Sequence, residues 1–314
     1  LSESTGKTHL RAGIIYPSRK KGGSTAIPQN MNIRKLHQMT GHRGALYSLL
    51  AAETPGHFLS AGSDGWIVDW STADPENGKL AATVAHQVFA LAQLPAAGQF
   101  VAGDMQGGLH WINRYEPEKT KGLAHHRLAI YDLLTHPDGY LFSAGGDGLL
   151  TRWDIAAQRS VESLQLSAKA LRCLAYAPAR NELAVGSSDG AIHLLNADTL
   201  AIRRSIAGAH LPSVFTLAYS PDARYLLSGG RDAMLRVWDV EAGLEKAISE
   251  QAAHWFTLNH ICYSPDGHYF ATASRDKTVK IWNAADFKLL KVLDVIRDGG
   301  HVNSVNRLLW LPEG

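Results

Sequence analysis

From residue 213 to 239 apolar and polar positions alternate in three short runs. SVFTLAYS (213–220) is β-branched and aromatic and stops at Pro221-Asp222. YLLSG (225–229) follows, a tight turn surrounds Arg231-Asp232, and MLRVWD (234–239) alternates again. Such runs predict β-strands joined by tight turns. Helical periodicity over ten or more residues is absent. The whole unit then recurs. HLPSVFTLAYSPDARYLLSGGRDAMLRVWDV (210–240) lines up with HWFTLNHICYSPDGHYFATASRDKTVKIWNA (254–284). Each copy opens with His, reaches Ser-Pro-Asp 10 residues later and Asp 22 residues after the His, with Trp 6 beyond that. Earlier copies run from His42 to Trp70 and from His126 to Asp154, and a last opener, HVNSVNRLLWLP, begins at His301. A repeat of this length is one supersecondary unit that cannot bury its own apolar face, so successive copies must stack.

The Trp position of the repeat falls at Trp70, Ile112, Trp153, Leu195, Trp238 and Trp282, spaced by 42, 41, 42, 43 and 44 residues. In these residues the chain resembles the WD-repeat family, whose blades are four-stranded antiparallel sheets around a channel. The resemblance covers 31–314 and implies an all-β, seven-bladed β-propeller. The seventh blade is incomplete in this sequence: 302–311 would be its first strand and 32–38 its closing outer strand. Residues 1–30 are an N-terminal extension in which HLRAGIIY (9–16) is the one strand-like stretch; it either supplies a further strand of the closing blade or is not integral to the propeller.

The resemblance also implies a hydrogen-bonded tetrad in each blade. Carried across, the sets are His42, Ser60, Asp64 and Trp70; His126, Ser143, Asp147 and Trp153; His210, Ser228, Asp232 and Trp238; and His254, Thr272, Asp276 and Trp282. A buried imidazole and carboxylate are tolerated only when their polar atoms find partners. Blade 2 departs, with His86 facing Ala102, Gln106 and Ile112. Blade 4 departs at both ends, with Ser167 for His and Leu195 for Trp. These two blades are expected to be less rigid than the others, or held mainly by packing.

Composition narrows the function. A net charge of +2 offers no strong field for nucleic acid or membrane. There is no run of 18 apolar residues, and the first 30 residues lack a signal peptide's apolar core. Cys173 and Cys262 fall on first strands of different blades and read as buried small hydrophobes, which fits a reducing, cytoplasmic setting. Gly6-Lys7-Thr8 lacks the upstream Gly and strand of a phosphate-binding loop. The repeat-opening histidines lie in separate blades and the pair His125-His126 reads as a loop residue beside a structural one, so no metal and no cofactor is expected. Ser, His and Asp recur in every good blade, as scaffold does, whereas a hydrolytic triad occurs once.

The positions left unclaimed by the scaffold carry the functional expectation. In the family, the fifth residue after the opener points onto the top face near the channel. Aligned by the Val, Leu or Ile before it, that position here is Tyr47, Phe89, Tyr131, Arg172, Phe215, Asn259 and Asn306. The residue before the turn Asp also reaches the top: Ser63, Gly146, Ser188, Arg231 and Arg275, with Met105 in blade 2. Trp66 and Trp255-Phe256 are further candidates. Aromatics and Arg are enriched in binding hot spots, and guanidinium pairs carboxylate and phosphate bidentately. The expected function is a non-enzymatic scaffold that binds a partner protein or peptide, acidic or phosphorylated, on the top face. The alternatives are a structural subunit docking through the blade rim and, last, a propeller enzyme acting on a small molecule.

Overall fold

The repeats fold as the alternation predicts. A computed structural model describes residues 12–17, 33–243 and 246–312. Six four-stranded antiparallel sheets follow one another along the chain, each taking its strands in sequence order. Blade 1 comprises Leu46–Ala51, His57–Gly62, Trp66–Ser71 and Lys79–Thr83. Blade 2 runs from Val88–Gln93 to Lys121–Ala124, blade 3 from Ile130–His136 to Arg159–Gln165, and blade 4 from Leu171–Ala177 to Ile202–Ile206. Blade 5 runs from Val214–Tyr219 to Ser249–Ala252 and blade 6 from Leu258–Tyr263 to Leu289–Leu293. The first strands of successive blades pack side by side around the channel. Second and third strands are mostly buried, whereas fourth strands such as Ile202–Ile206 are mostly exposed.

Adjacent blades close up because glycine stands where a side chain would collide. A Cβ on Gly186 of blade 4 would lie 2.7 Å from Val214 of blade 5, and one on Gly229 would lie 2.5 Å from Leu258 of blade 6. Side chains also cross between blades. Asp132 accepts the Leu174 amide at 2.9 Å, Thr216 accepts the Ile261 amide at 3.0 Å, and Arg114 pairs with Asp69 at 2.8 Å.

The expectation of seven four-stranded blades is corrected: the described residues form six. Between blade 6 and blade 1 lies a two-stranded antiparallel sheet, Ala12–Pro17 with Ile33–Met39. Residues 302–311, expected as a first strand, form no sheet ladder. No described segment supplies the middle strands they would pair with. One backbone bond, from the Val305 amide to the Ser274 carbonyl at 3.0 Å, and several side chains hold this segment instead. Asn259 donates to the Val305 carbonyl at 2.9 Å, Asn306 donates to the Leu46 carbonyl at 2.8 Å, and His260 Nδ1 accepts the Leu308 amide at 3.2 Å. Val305 and Leu311 add buried apolar contacts. Most of the extension, with Gly6-Lys7-Thr8, lies outside the described residues.

Four blades share one buried hydrogen-bond chain. In blade 1, Trp70 Nε1 donates to Ser60 Oγ (2.8 Å), Ser60 Oγ meets His42 Nε2 (2.7 Å), and His42 Nδ1 meets Asp64 (2.9 Å). The same contacts join Trp153, Ser143, His126 and Asp147 at 2.9, 2.7 and 3.0 Å. They join Trp238, Ser228, His210 and Asp232 at 2.8 Å each. In blade 6, Trp282, Thr272, His254 and Asp276 lie at 2.9, 2.8 and 2.9 Å. Each carboxylate also accepts the amide of the residue after the opener: Arg43, Arg127, Leu211 and Trp255. The chain therefore ties an indole in the sheet to a loop at one end of the ring, called the top below.

Blades 2 and 4 substitute other groups. In blade 2 the opener His86 is exposed, and the buried Asp104 accepts from the Gln106 and Gly108 amides and meets His110 Nε2 at 2.9 Å. In blade 4, Ser167 Oγ takes the imidazole's place and donates to Asp189 at 2.7 Å, with Ser187 bonded to the same carboxylate. Neither arrangement reaches an indole.

For Asp232, burial raises the carboxyl pKa, but hydrogen bonds from His210 and Arg236 outweigh it and hold the group well below the usual carboxylate range. A depressed carboxyl pKa contributes stability above the unfolded-state value of about 4 and loses it as pH falls further. Asp232→Ala should therefore cost about 2–3 kcal/mol at pH 7, while Arg231→Ala, at an exposed position, should change little. Thermal melts of both variants at pH 7 and below pH 4 check this; the gap should narrow in acid. Native-state hydrogen exchange should open 102–113 and 183–196 before 226–239, because the first two segments lack the indole-anchored chain. Equal protection would contradict that ordering.

Candidate interaction surface on the top face

The first strand of every blade is interrupted at the same place. In blade 1, Leu46 pairs Gly62 and Ser48 pairs Ala61, so Tyr47 has no partner across the ladder. The same register shift leaves out Phe89, Tyr131, Arg172, Phe215 and Asn259. A bulge inserts one residue, bends the strand and re-aims that side chain. All six are half-buried at the top of the channel.

Five of these side chains touch in series. The rings of Tyr47 and Phe89 lie 4.8 Å apart, and those of Phe89 and Tyr131 5.5 Å. The Arg172 guanidinium sits 4.1 Å from the Tyr131 ring centroid and 4.9 Å from that of Phe215. Its Nε donates to Ser188 Oγ at 3.1 Å. The sixth, Asn259, is drawn instead to Ser304 and Val305, and Asn306 turns to the Leu46 carbonyl. The ring of positions is thus a five-membered row of aromatics with one inserted guanidinium, and its amides seal the gap between blades 6 and 1. Below the row, buried Asp132 faces Arg307 at 3.6 Å; burial raises its carboxyl pKa, against the pull of Arg307 and of the Leu174 amide.

Arg231 and Arg275 stand apart from the row. Both are exposed, and their amides donate to the Ser213 and Thr257 carbonyls of the loops that follow His210 and His254. Among the described residues neither forms an ion pair. Trp66 is half-buried with Arg43 over its ring at 4.7 Å. Trp255 and Phe256 are 86% and 59% exposed. The sequence reading omitted Leu211, 74% exposed at the position equivalent to Trp255; an apolar residue directly after an opener His was the available signal.

The pair His125-His126 is fully engaged: His126 belongs to the blade 3 chain, and His125 Nε2 meets Thr151 and Ser163 at 3.1 and 3.2 Å. One group with metal-ligand spacing was missed, His136 with Asp138 and Asp198. Its carboxylates are exposed, and His136 Nδ1 accepts the Asp138 amide at 3.3 Å.

With the geometry in place, comparison defines the class. The sequence model described as "WD domain, G-beta repeat" matches residues 117–154, 203–239 and 246–283, which overlap blades 3, 5 and 6. In structure the chain is similar to the WD40 β-propeller domain of Doa1, with TM-score 0.72 and 19% identity over 83% of this chain and 86% of that one. The chain carries WD repeats and folds as a β-propeller. Among curated proteins it is 31% identical to actin-interacting protein 1-2 of Arabidopsis thaliana over 52% of this chain and 28% of that protein. It is 27% identical to ribosome biogenesis protein ytm1 of Aspergillus fumigatus, over 65% of this chain and 41% of that protein. COMPASS component SWD1 of Saccharomyces cerevisiae is 34% identical over 22% of this chain and 17% of that protein. The chain therefore spans less than half the length of these relatives.

Proposed function

We propose that the chain is a non-enzymatic scaffold that binds a segment of a partner protein across the top of the channel, and that this segment is acidic or phosphorylated. The observation that carries this reading is the contiguous row Tyr47, Phe89, Tyr131, Arg172 and Phe215. Each member sits at a bulge outside the ladder, so sheet pairing does not require its side chain. A clustered aromatic and Arg surface at the mouth of the channel has the composition of a hot spot. Among the described residues the guanidiniums of Arg172, Arg231 and Arg275 have no carboxylate partner, which favours an anionic segment. Relatives named for actin interaction, ribosome biogenesis and the COMPASS complex support a role among protein partners. Two free thiols, Cys173 and Cys262, support a reducing, cytoplasmic setting.

The test uses a partner co-purified from native cells. Tyr131→Ala and Arg172→Ala should each weaken its binding by about 2 kcal/mol, roughly thirtyfold, without lowering the melting temperature of the propeller much. The Arg variant should also flatten the salt dependence of binding, and the Tyr variant should leave it unchanged. Calorimetric titration at two salt concentrations measures both effects. Normal binding by both variants, with loss on substitution in exposed fourth strands, would move the site to the rim.

A further inference from the structure

The exposed residues of the top loops are not distributed evenly around the ring. The residue after the opener and the residue before the turn Asp lie on the same loop pair, because the Asp carboxylate accepts the first one's amide. In blade 1 that pair is Arg43 and Ser63, and in blade 3 it is Arg127 and Gly146, with Leu128 after Arg127 56% exposed. Blades 5 and 6 invert the pattern. There the loop residues are Leu211 and Trp255-Phe256, and the turn residues are Arg231 and Arg275. In these four blades the carboxylate fixes the backbone of the loop position and leaves the side chains free to vary. Two neighbouring blades thus combine three large apolar side chains, 74%, 86% and 59% exposed, with two arginines. A tryptophan so exposed is costly to keep in water and marks a contact surface.

We infer that the top of blades 5 and 6 is a docking surface for a short acidic segment of a partner protein, with bulky apolar residues seated on Leu211, Trp255 and Phe256 and carboxylates paired to Arg231 and Arg275. Charge complementarity selects the occupant: the described residues give neither arginine a carboxylate, and the patch carries no acidic side chain that is not already committed, since Asp232 and Asp276 are bonded within their blades. Phe215 of the central row follows Leu211 in the same blade, so the inference rests on top-face binding while assigning a separate anchor to it. A segment lying over both would gain apolar burial from the outer patch and stacking from the mouth.

The experiment is selection of random 16-residue peptides displayed on phage against the full chain, followed by affinity measurement on the enriched peptides. Enriched sequences should place Asp or Glu within a few residues of Trp, Phe, Leu or Ile. Trp255→Ser and Arg275→Glu should each weaken their binding at least tenfold, with melting temperatures unchanged because both side chains are exposed. Loss with Tyr131→Ala and Arg172→Ala but not with Trp255→Ser would leave the central mouth as the site and overturn the outer anchor. Binding indifferent to all four substitutions would overturn both. Peptides enriched without acidic residues, or no enrichment, would also contradict the proposal. So would binding of Trp255-dependent character to phosphatidylserine vesicles alone, or Trp255-dependent self-association in sedimentation.

Discussion

The directional hydrogen-bond chain from indole to carboxylate is what the rest of the ring depends on. A tryptophan Nε1–H can only donate, so it fixes Ser60, Ser143, Ser228 or Thr272 as its acceptor. The hydroxyl then has one proton left, and the neighbouring atom is histidine Nε2. Donating there makes Nε2 an acceptor and leaves the imidazole proton on Nδ1, facing the Asp. The carboxylate ends the chain and spends its remaining lone pairs on loop amides. Three of the four histidine side chains are fully buried and the fourth nearly so. In such surroundings a member left without a partner is expensive, which makes the chain cooperative.

Through this chain a sheet buried by packing controls a loop exposed to solvent. Glycines at the blade interfaces set how closely neighbours approach, and the bulge in each first strand sets where one side chain per blade emerges. The two devices act on different atoms. The tetrad holds the outer top loops through backbone amides, and the bulge releases Tyr47, Phe89, Tyr131, Arg172 and Phe215 from the ladder. A surface can then vary from blade to blade while the backbone beneath it repeats. This is how one fold comes to serve many partners, and why fold by itself does not name them.

Much of this was legible in the residues. Period, strand pattern and turn chemistry are local properties, so the blades and the members of each hydrogen-bond chain could be numbered from the sequence. The row at the mouth was also legible as positions, since the residue after the Val, Leu or Ile that opens each first strand is one per blade. What was not legible is tertiary. That alignment puts Asn259 and Asn306 in the same class as Tyr131, yet their amides reach carbonyls across the gap between blades 6 and 1 and become closure rather than surface. The count of seven blades rested on the His301 opener and on 32–38 as a closing outer strand. An opener and an apolar run do not make a blade without strands to pair with, and 302–311 is held by side chains and a single backbone bond instead of a ladder. The substitution of Asp104 and His110 for the missing set in blade 2 depends on two side chains meeting across a turn, which no spacing rule of the repeat encodes.

Nitrogen-15 NMR of the imidazoles tests this account most directly, because the direction of every bond in the chain follows from the tautomer. At neutral pH, His42, His126, His210 and His254 should each give the signature of a proton on Nδ1 and a bare Nε2, and His86, exposed and outside any such chain, should not share that single tautomer. A proton on Nε2 in the four buried rings would reverse the hydroxyl, leave the indole and the imidazole competing for one acceptor, and contradict the mechanism by which the sheet holds the top face.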